Sequence, residues 1–373
     1  MTTTPAWPDL ARDLTASLRA TGAIRTDPVA DAICAVPRHQ FISGHYATGQ
    51  HTTVDPDAPT TELLQLAYAD RGIMTHIPTD QAGGYSSTSQ PAVVAKTLEA
   101  AELEEGMRVL EIGAGTGWNA ALIAHITGAD VHTVEASSLV ADEARASLAR
   151  AGAARVTVHT ADGYNGHPDA GKYDRIVVTC GIAGIPPAWL SHLTPDGTIL
   201  APIAHGGMHP LMRITSTSRG ARGQLVATAD FMIATGALYA GATPSPSTLG
   251  RHLPAPTRTR TGDVPADLEL RTSYADLWMY LAARDSRTTC ASVKDTTAYT
   301  GCALVADDTT AVYVQPGGLH LTPGPAADEL ADRAAQHTAN WDRLGRPHLT
   351  AWTCSLGPTD TAPPLLTPTG WQL

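Results

Sequence analysis

The run Glu111-Ile112-Gly113-Ala114-Gly115-Thr116-Gly117 lies between an apolar stretch, MRVLEI, and a helix-forming stretch that opens at Trp118. Glycine at alternate positions lets a backbone turn tightly and approach a ligand closely. A dinucleotide loop spaces its glycines as GxGxxG, but Trp118 occupies the third glycine position here, which argues against NAD. The E-x-G-x-G-x-G pattern suits S-adenosylmethionine, whose amino-acid end carries both an ammonium and a carboxylate. Glu111 is expected to face the ammonium, and the following helix N-terminus offers partial positive charge to the carboxylate. Glu135 ends the next strand-like run, 22 residues after Gly113, where an acidic side chain commonly accepts ribose hydroxyls. Asp162 and Gly163 end the third run and are candidates for the adenine edge. Solvated strand ends would explain one acidic residue, but not three stations in order.

These stations need a scaffold, and the flanking sequence supplies one. MRVLEI, DVHTVE, RVTVHT and DRIVVT alternate with helix-length segments, the pattern of a parallel sheet with helices on both faces. LMRITS and GQLVATADFMI, joined by polar SRGARG, predict an antiparallel hairpin that closes the sheet near Leu238. Upstream, Leu10, Leu14 and Leu18 repeat at helical spacing up to Gly22, and Asp27-Pro28 opens a second helix through Val36. A loop is expected after it. Pro91 opens a helix carrying Val94 and Leu98, directly after the Gly- and Ser-rich run 81–89.

The expected division is a helical part over 1–80, a cofactor-binding core over 81–240, a Pro- and Thr-rich linker over 241–263, and a small α+β extension over 264–373. In that extension LWMYLAA reads as helix and CALVA and AVYVQ as strands. Leu330, Ala334, His337 and Trp341 mark a last helix before Gly345. The fold class is therefore α/β, a Rossmann-like sheet with an antiparallel closing hairpin plus a C-terminal α+β domain.

Composition narrows the partners. With 25 Lys plus Arg against 36 Asp plus Glu, the net charge is −11, which opposes nucleic acid and anionic membranes. No stretch approaches the roughly 18 apolar residues of a membrane span. Five scattered cysteines without a CxxC pair suggest a reducing, cytoplasmic setting and neither zinc nor redox work. His205 and His209 are four apart but separated by Gly206-Gly207, so no metal site is expected there. Trp278, Tyr280, Trp341 and Trp371 are weighed as a peptide groove against the commoner core role.

Four motifs, Val36-Pro37-Arg38-His39-Gln40-Phe41, Ser87-Thr88-Ser89-Gln90-Pro91, VLEIGAGTGWNAALIA and YDRIVVTCGIAGIP, together resemble the protein-L-isoaspartate O-methyltransferase family. The resemblance covers about residues 10–238 with the motifs in the family's order. It implies a class I methyltransferase fold, S-adenosylmethionine as methyl donor with S-adenosylhomocysteine as product, and a peptide or protein substrate bearing Asp or isoAsp. It also implies Ser89 as the active-site serine, with Ser87 and Thr88 beside the cofactor. Arg38 and Ser86 are candidate substrate contacts. Ser89 has a plainer alternative as cap of the Pro91 helix.

Two departures stand out: GGYSSTS replaces the usual GQTIS-like run, and about 130 residues follow the resemblance. Both resemble a branch that modifies ribosomally made peptides of graspetide, lanthipeptide or lasso type, acting with a peptide-cyclising enzyme, and the extension over 264–373 is expected to help select the peptide. There an Asp side chain in a macrocyclised peptide is methylated and the ester closes to an aspartimide. General isoaspartyl repair is the alternative, and a non-catalytic cofactor-binding partner of a cyclase is the second. A carboxylate with a reference pKa of roughly 4 is ionised at neutral pH and needs no general base, so positioning is the main task.

Overall fold

The computed structural model describes residues 6–78, 85–167, 169, 171–218, 220–229, 231–239, 251–270, 272–293, 299–360 and 362–373. Two helices open the chain, α1 (Trp7–Ala20) and α2 (Asp27–Ala35). α1 buries Ala11, Leu14 and Leu18 on one face, as their spacing requires. In α2 the cap is Thr26, so Asp27 begins the helix instead of capping it. The expected loop after α2 is structured. A hairpin of β1 (Gly44–Ala47) and β2 (Gln50–Thr53) is followed by α3 (Thr61–Ala67) and the antiparallel pair β3 (Ile73–His76) and β4 (Ser86–Thr88). These strands are three or four residues long and mostly polar, too short for an alternating pattern to register. Helix α4 (Pro91–Ala101) then leads into the sheet.

The alternating segment supplies β5 (Val109–Ile112), α5 (Trp118–Thr127), β6 (Val131–Glu135), α6 (Ser138–Arg150), β7 (Val156–Thr160) and β8 (Tyr173–Val178). Helix α7 (Pro187–Ser191), strand β9 (Leu193–Pro202) and the hairpin β10 (Pro210–Thr217) and β11 (Gly220–Thr228) complete it. Strands β5 to β9 pair in parallel, and β10 and β11 pair antiparallel. Alternate residues of these strands face opposite ways. Val109, Val177 and Leu200 meet the N-terminal helices, whereas Leu110, Ile176 and Ile199 face the other core.

The C-terminal residues form β12 (Arg251–Leu253), β13 (Arg258–Thr261), α8 (Ser273–Arg284), β14 (Thr288–Val293), β15 (Gly301–Val305), β16 (Ala311–Gln315), β17 (Gly318–Leu321), α9 (Ala327–Arg343), β18 (Thr353–Pro358) and β19 (Leu366–Gln372). Residues 241–250 lie outside the described residues, but part of the rest of the expected linker is regular. It contributes β12 and β13, the two edges of a six-stranded sheet ordered β12-β14-β15-β16-β17-β13. Short polar edge strands such as RTRT carry no apolar period, which is how edges are kept from sticking.

The extension is not self-contained either. β18 pairs with β11 and β19 with β18, giving a main sheet ordered β19-β18-β11-β10-β9-β8-β5-β6-β7. The closing hairpin leaves β11 with an unpaired edge, and the chain returns more than 120 residues later to cover it. Leu277, Leu330, Trp341 and Trp352 share one core with Leu110, Ile176 and Ile199. Trp352 is fully buried against Tyr280 and Trp371, with the Arg284 guanidinium 5.2 Å above its ring. Trp352→Ala is expected to destabilise the protein by about 3–5 kcal/mol, read as a lower denaturation midpoint. An unchanged midpoint would mean that the extension does not share the main core.

Candidate functional site

The glycine turn follows β5, and Gly113, Gly115 and Gly117 all take positive φ values that other residues rarely adopt. Gly113 has φ of 98°, and a Cβ there would lie 2.7 Å from Thr179 Oγ1. Gly117 has φ of 87° and caps α5, so it shapes the turn from below and is not a wall of the cleft. The turn borders an open cleft of about 1020 Å³, counting space continuous with solvent, at the C-terminal ends of β5, β6, β7 and β8. Ligands in open α/β sheets bind at this end.

Most of the expected residues converge here. Ser86, Ser87, Thr88, Ser89, Gly113, Gly115, Glu135, Asp162 and Gly163 all line the cleft. Glu135 ends β6 and accepts the N–H groups of Gly115 at 3.2 Å and Ser137 at 3.1 Å. Burial raises its pKa, and those amides pull it back. Asp162 accepts the Tyr164 N–H at 2.9 Å and so fixes the short turn Gly163–Asn165. A side chain at Gly163 would collide with Ile112 Cγ2 at 2.7 Å, so a flat wall forms there.

Glu111 behaves differently from expectation. It is fully buried beneath the glycine turn, does not line the cleft, and accepts Asn119 Nδ2 at 2.7 Å and Thr133 Oγ1 at 2.5 Å. The parallel register sets Glu111 opposite Thr133, which draws the carboxylate into the sheet. Asn119 lines the cleft in its place, a residue that the sequence reading passed over although it sits two positions after Gly117.

Arg38 is not a substrate contact. Its side chain is buried and donates to the carbonyls of Ala67 (2.6 Å), Ala69 (3.2 Å), Arg71 (2.9 Å), Thr88 (3.3 Å) and Ser89 (2.9 Å), with its guanidinium 5.0 Å over Trp118. Burial pushes its pKa down to about 9, still charged at neutral pH. It therefore holds the serine-rich segment from behind. That segment is a strand, β4, rather than a loop at Ser86–Thr88, while 81–84 lie outside the described residues. Ser86 is buried and accepts from Thr75 Oγ1 at 3.4 Å.

Ser89 does not cap α4. The cap position is Gln90, and Asp70 Oδ1 accepts the Ala92 N–H at 2.8 Å. The cleft's far wall is Phe231–Thr235, held by Gly181 N–H to Met232 O and Ala234 N–H to Gly181 O, both 2.8 Å. Nothing local in the sequence marks that wall, because its pairing spans about fifty residues. The weighed aromatic groove does not assemble: Trp341 and Tyr280 are core, and Trp278 donates to Gly206 O at 2.8 Å. His205 and His209 flank the tight turn between β9 and β10.

A cofactor with ammonium, hydroxyl and carboxylate groups suits this lining. Thr88 Oγ1, Trp118 Nε1 and Asn119 Oδ1 belong to lining residues and are buried polar atoms without protein partners. Such groups are costly unless something pairs with them.

Residues 10–236 match the family model for protein-L-isoaspartate(D-aspartate) O-methyltransferase, more than half of the chain. The chain belongs to this family. It is a protein carboxyl O-methyltransferase that uses S-adenosylmethionine. Among similar proteins, a protein-L-isoaspartate O-methyltransferase of Thermococcus onnurineus is 38% identical over 187 residues, covering 50% of this chain and 74% of that protein. Another, of Ignicoccus hospitalis, is 35% identical over 212 residues, covering 56% of this chain and 89% of that protein. A solved structure titled protein-L-isoaspartate O-methyltransferase aligns over 96% of this chain and 99% of its own, with TM-score 0.56 and 22% identity. The fold of the extension is therefore shared with another chain.

Two measurements check this account of the methyltransferase site. Arg38→Ala strands several buried carbonyls and is expected to cost about 3 kcal/mol or more, seen as a lower melting temperature. No loss would remove Arg38 from its anchoring role. Burial raises Glu111 from 4.5 to about 7. Between those values the folded chain binds more protons than the unfolded one, so stability falls as pH rises through that window. Wild type should lose more melting temperature between pH 5 and 8 than Glu111→Gln. Parallel curves for the two proteins would contradict the raised value.

Proposed function

We propose that this methyltransferase esterifies an aspartyl-type carboxylate of a peptide presented across β4, with Ser89 positioning the reacting group. The observation that carries this reading is the convergence of Ser87, Thr88 and Ser89 with Gly113, Gly115, Glu135 and Asp162 on one cleft. S-adenosylmethionine supplies an electrophilic methyl on a sulfonium. The remaining task of the chain is to bind, orient and exclude. Glu135 is assigned to the ribose hydroxyls, Asp162 and Gly163 to the adenine side, and Asn119 Oδ1 to the ammonium. Gly115 sets the glycine turn close to β4, since a Cβ there would lie 3.5 Å from Ser87 O. Donor and acceptor ends of the cleft are thus adjacent. A hydroxyl such as that of Ser89, holding one carboxylate oxygen, leaves the other free to align with the methyl.

For the substrate we favour an Asp side chain in a ribosomally made, macrocyclised peptide, with the ester then closing to an aspartimide. The support is the departure of the serine-rich run from the family's usual form. The extension is weaker support, because the fold of a solved structure titled protein-L-isoaspartate O-methyltransferase includes its counterpart. Repair of isoaspartyl residues is the second reading, favoured by the names of the similar proteins. A peptide-cyclising enzyme is the pathway partner under the first reading only.

Ser89→Ala should lower turnover at least ~10-fold while leaving the cofactor Kd within about twofold, because the residue is assigned to the carboxylate. Equal turnover would end that assignment. Glu135→Ala should weaken cofactor binding by calorimetry, and an unchanged Kd would count against the ribose role. Substrate class is read by mass spectrometry. One methyl gained on unrelated isoaspartyl peptides indicates repair, whereas a gain confined to a cyclised Asp peptide, followed by methanol loss, indicates tailoring.

A further inference from the structure

Outside the cleft, three histidines meet at the β7 edge of the main sheet. His132 is on β6, His159 on the neighbouring β7, and His167 in the segment between the Gly163–Asn165 turn and β8. Parallel register sets Val134 opposite His159 and His132 opposite Thr157, so the two strand histidines share a face two residues apart. The ring centroids of His159 and His167 are 3.8 Å apart, and those of His132 lie 5.2 and 5.1 Å from them. One ring nitrogen from each lies within 4.8 Å of the others, and His132 Nδ1 is 2.9 Å from His159 Nε2. The third member is fixed through its backbone, since Tyr173 Oη donates to His167 O at 2.8 Å.

We propose that His132, His159 and His167 bind one divalent transition-metal cation of the zinc class. Imidazole nitrogens suit zinc, copper and nickel rather than magnesium or calcium. Tetrahedral ligands at about 2.0–2.1 Å sit about 3.3 Å apart, a spacing that side-chain rotations reach from the present one. Three protein ligands leave a fourth position for water.

The site's consequence lies in the chain that follows β7. Asp162 and Gly163, just after β7, line the cofactor cleft, and His167 lies four residues beyond Gly163. A cation held by His132, His159 and His167 ties this segment to the sheet directly behind the adenine wall. The sequence conceals the cluster, because the three residues are 27 and 8 positions apart and match no local ligand spacing. The site is independent of the methyl-transfer reading, since none of the three lines the cleft.

The test uses the full chain without a histidine tag, stripped with chelator, equilibrated with micromolar Zn(II), and assayed for bound metal by elemental mass spectrometry. About one zinc per chain is expected, and Co(II) in its place should give the visible absorption of a tetrahedral site. His159→Ala should lose ~90% of the bound metal, since loss of a ligand weakens binding at least as much as the ~10–100-fold of a ligand's partner. His167→Ala should do the same while leaving both strands intact, so it remains informative if the strand variant misfolds by circular dichroism. Less than about a tenth of a zinc per wild-type chain overturns the proposal. Wild-type stoichiometry in His167→Ala overturns it equally.

Discussion

Arg38 donates to carbonyl oxygens that precede β3, at Ala67, Ala69 and Arg71, and to those of Thr88 and Ser89 at the end of β4. A buried guanidinium has five donors in a rigid fork, and here its two terminal nitrogens donate to five main-chain carbonyls. Its charge is tolerated because Asp70 lies nearby and the ring of Trp118 sits beneath it. Trp118 is the first residue of α5, directly after the glycine turn. The same side chain thus braces the strand assigned to the substrate and the helix assigned to the cofactor, and sets the distance between them. Asp70 repeats the theme by capping α4, which frees Ser89 from that task.

A second buried charge organises the donor side. Glu111 lies under the glycine turn, gripped by Thr133 and Asn119. Placing a carboxylate where water cannot reach it is costly, and its raised pKa records that cost. What the cost secures is the orientation of Asn119, whose Oδ1 is left as an acceptor among residues of the cleft wall. The acidic residue of the glycine motif therefore reaches the cleft only through another side chain.

The C-terminal residues have a structural duty irrespective of any part in choosing substrates. They pair with the exposed edge of β11 and cover the second face of the sheet with Leu277, Leu330 and Trp341. They also touch the residue next to the cleft-lining Asp162 and Gly163, since Tyr164 donates to Pro364 O at 2.8 Å.

The sequence by itself determined the alternating parallel sheet, the closing hairpin and the glycine turn, and it marked Glu135, Asp162 and the serine run that line the cleft beside it. These rest on local periodicity and on backbone conformations that only glycine adopts readily, both of which are written in consecutive residues. Tertiary structure alone decided that Arg38 is an anchor and that Glu111 is buried. It likewise placed Phe231–Thr235 as a cleft wall, turned part of an expected linker into edge strands, and returned β18 and β19 to the main sheet. The burial of Glu111 depends on the side chains of Thr133 and Asn119, and the others depend on which distant backbone groups remain unpaired once the local elements have formed. The partner that satisfies them lies tens to more than a hundred residues away, where no spacing rule reaches.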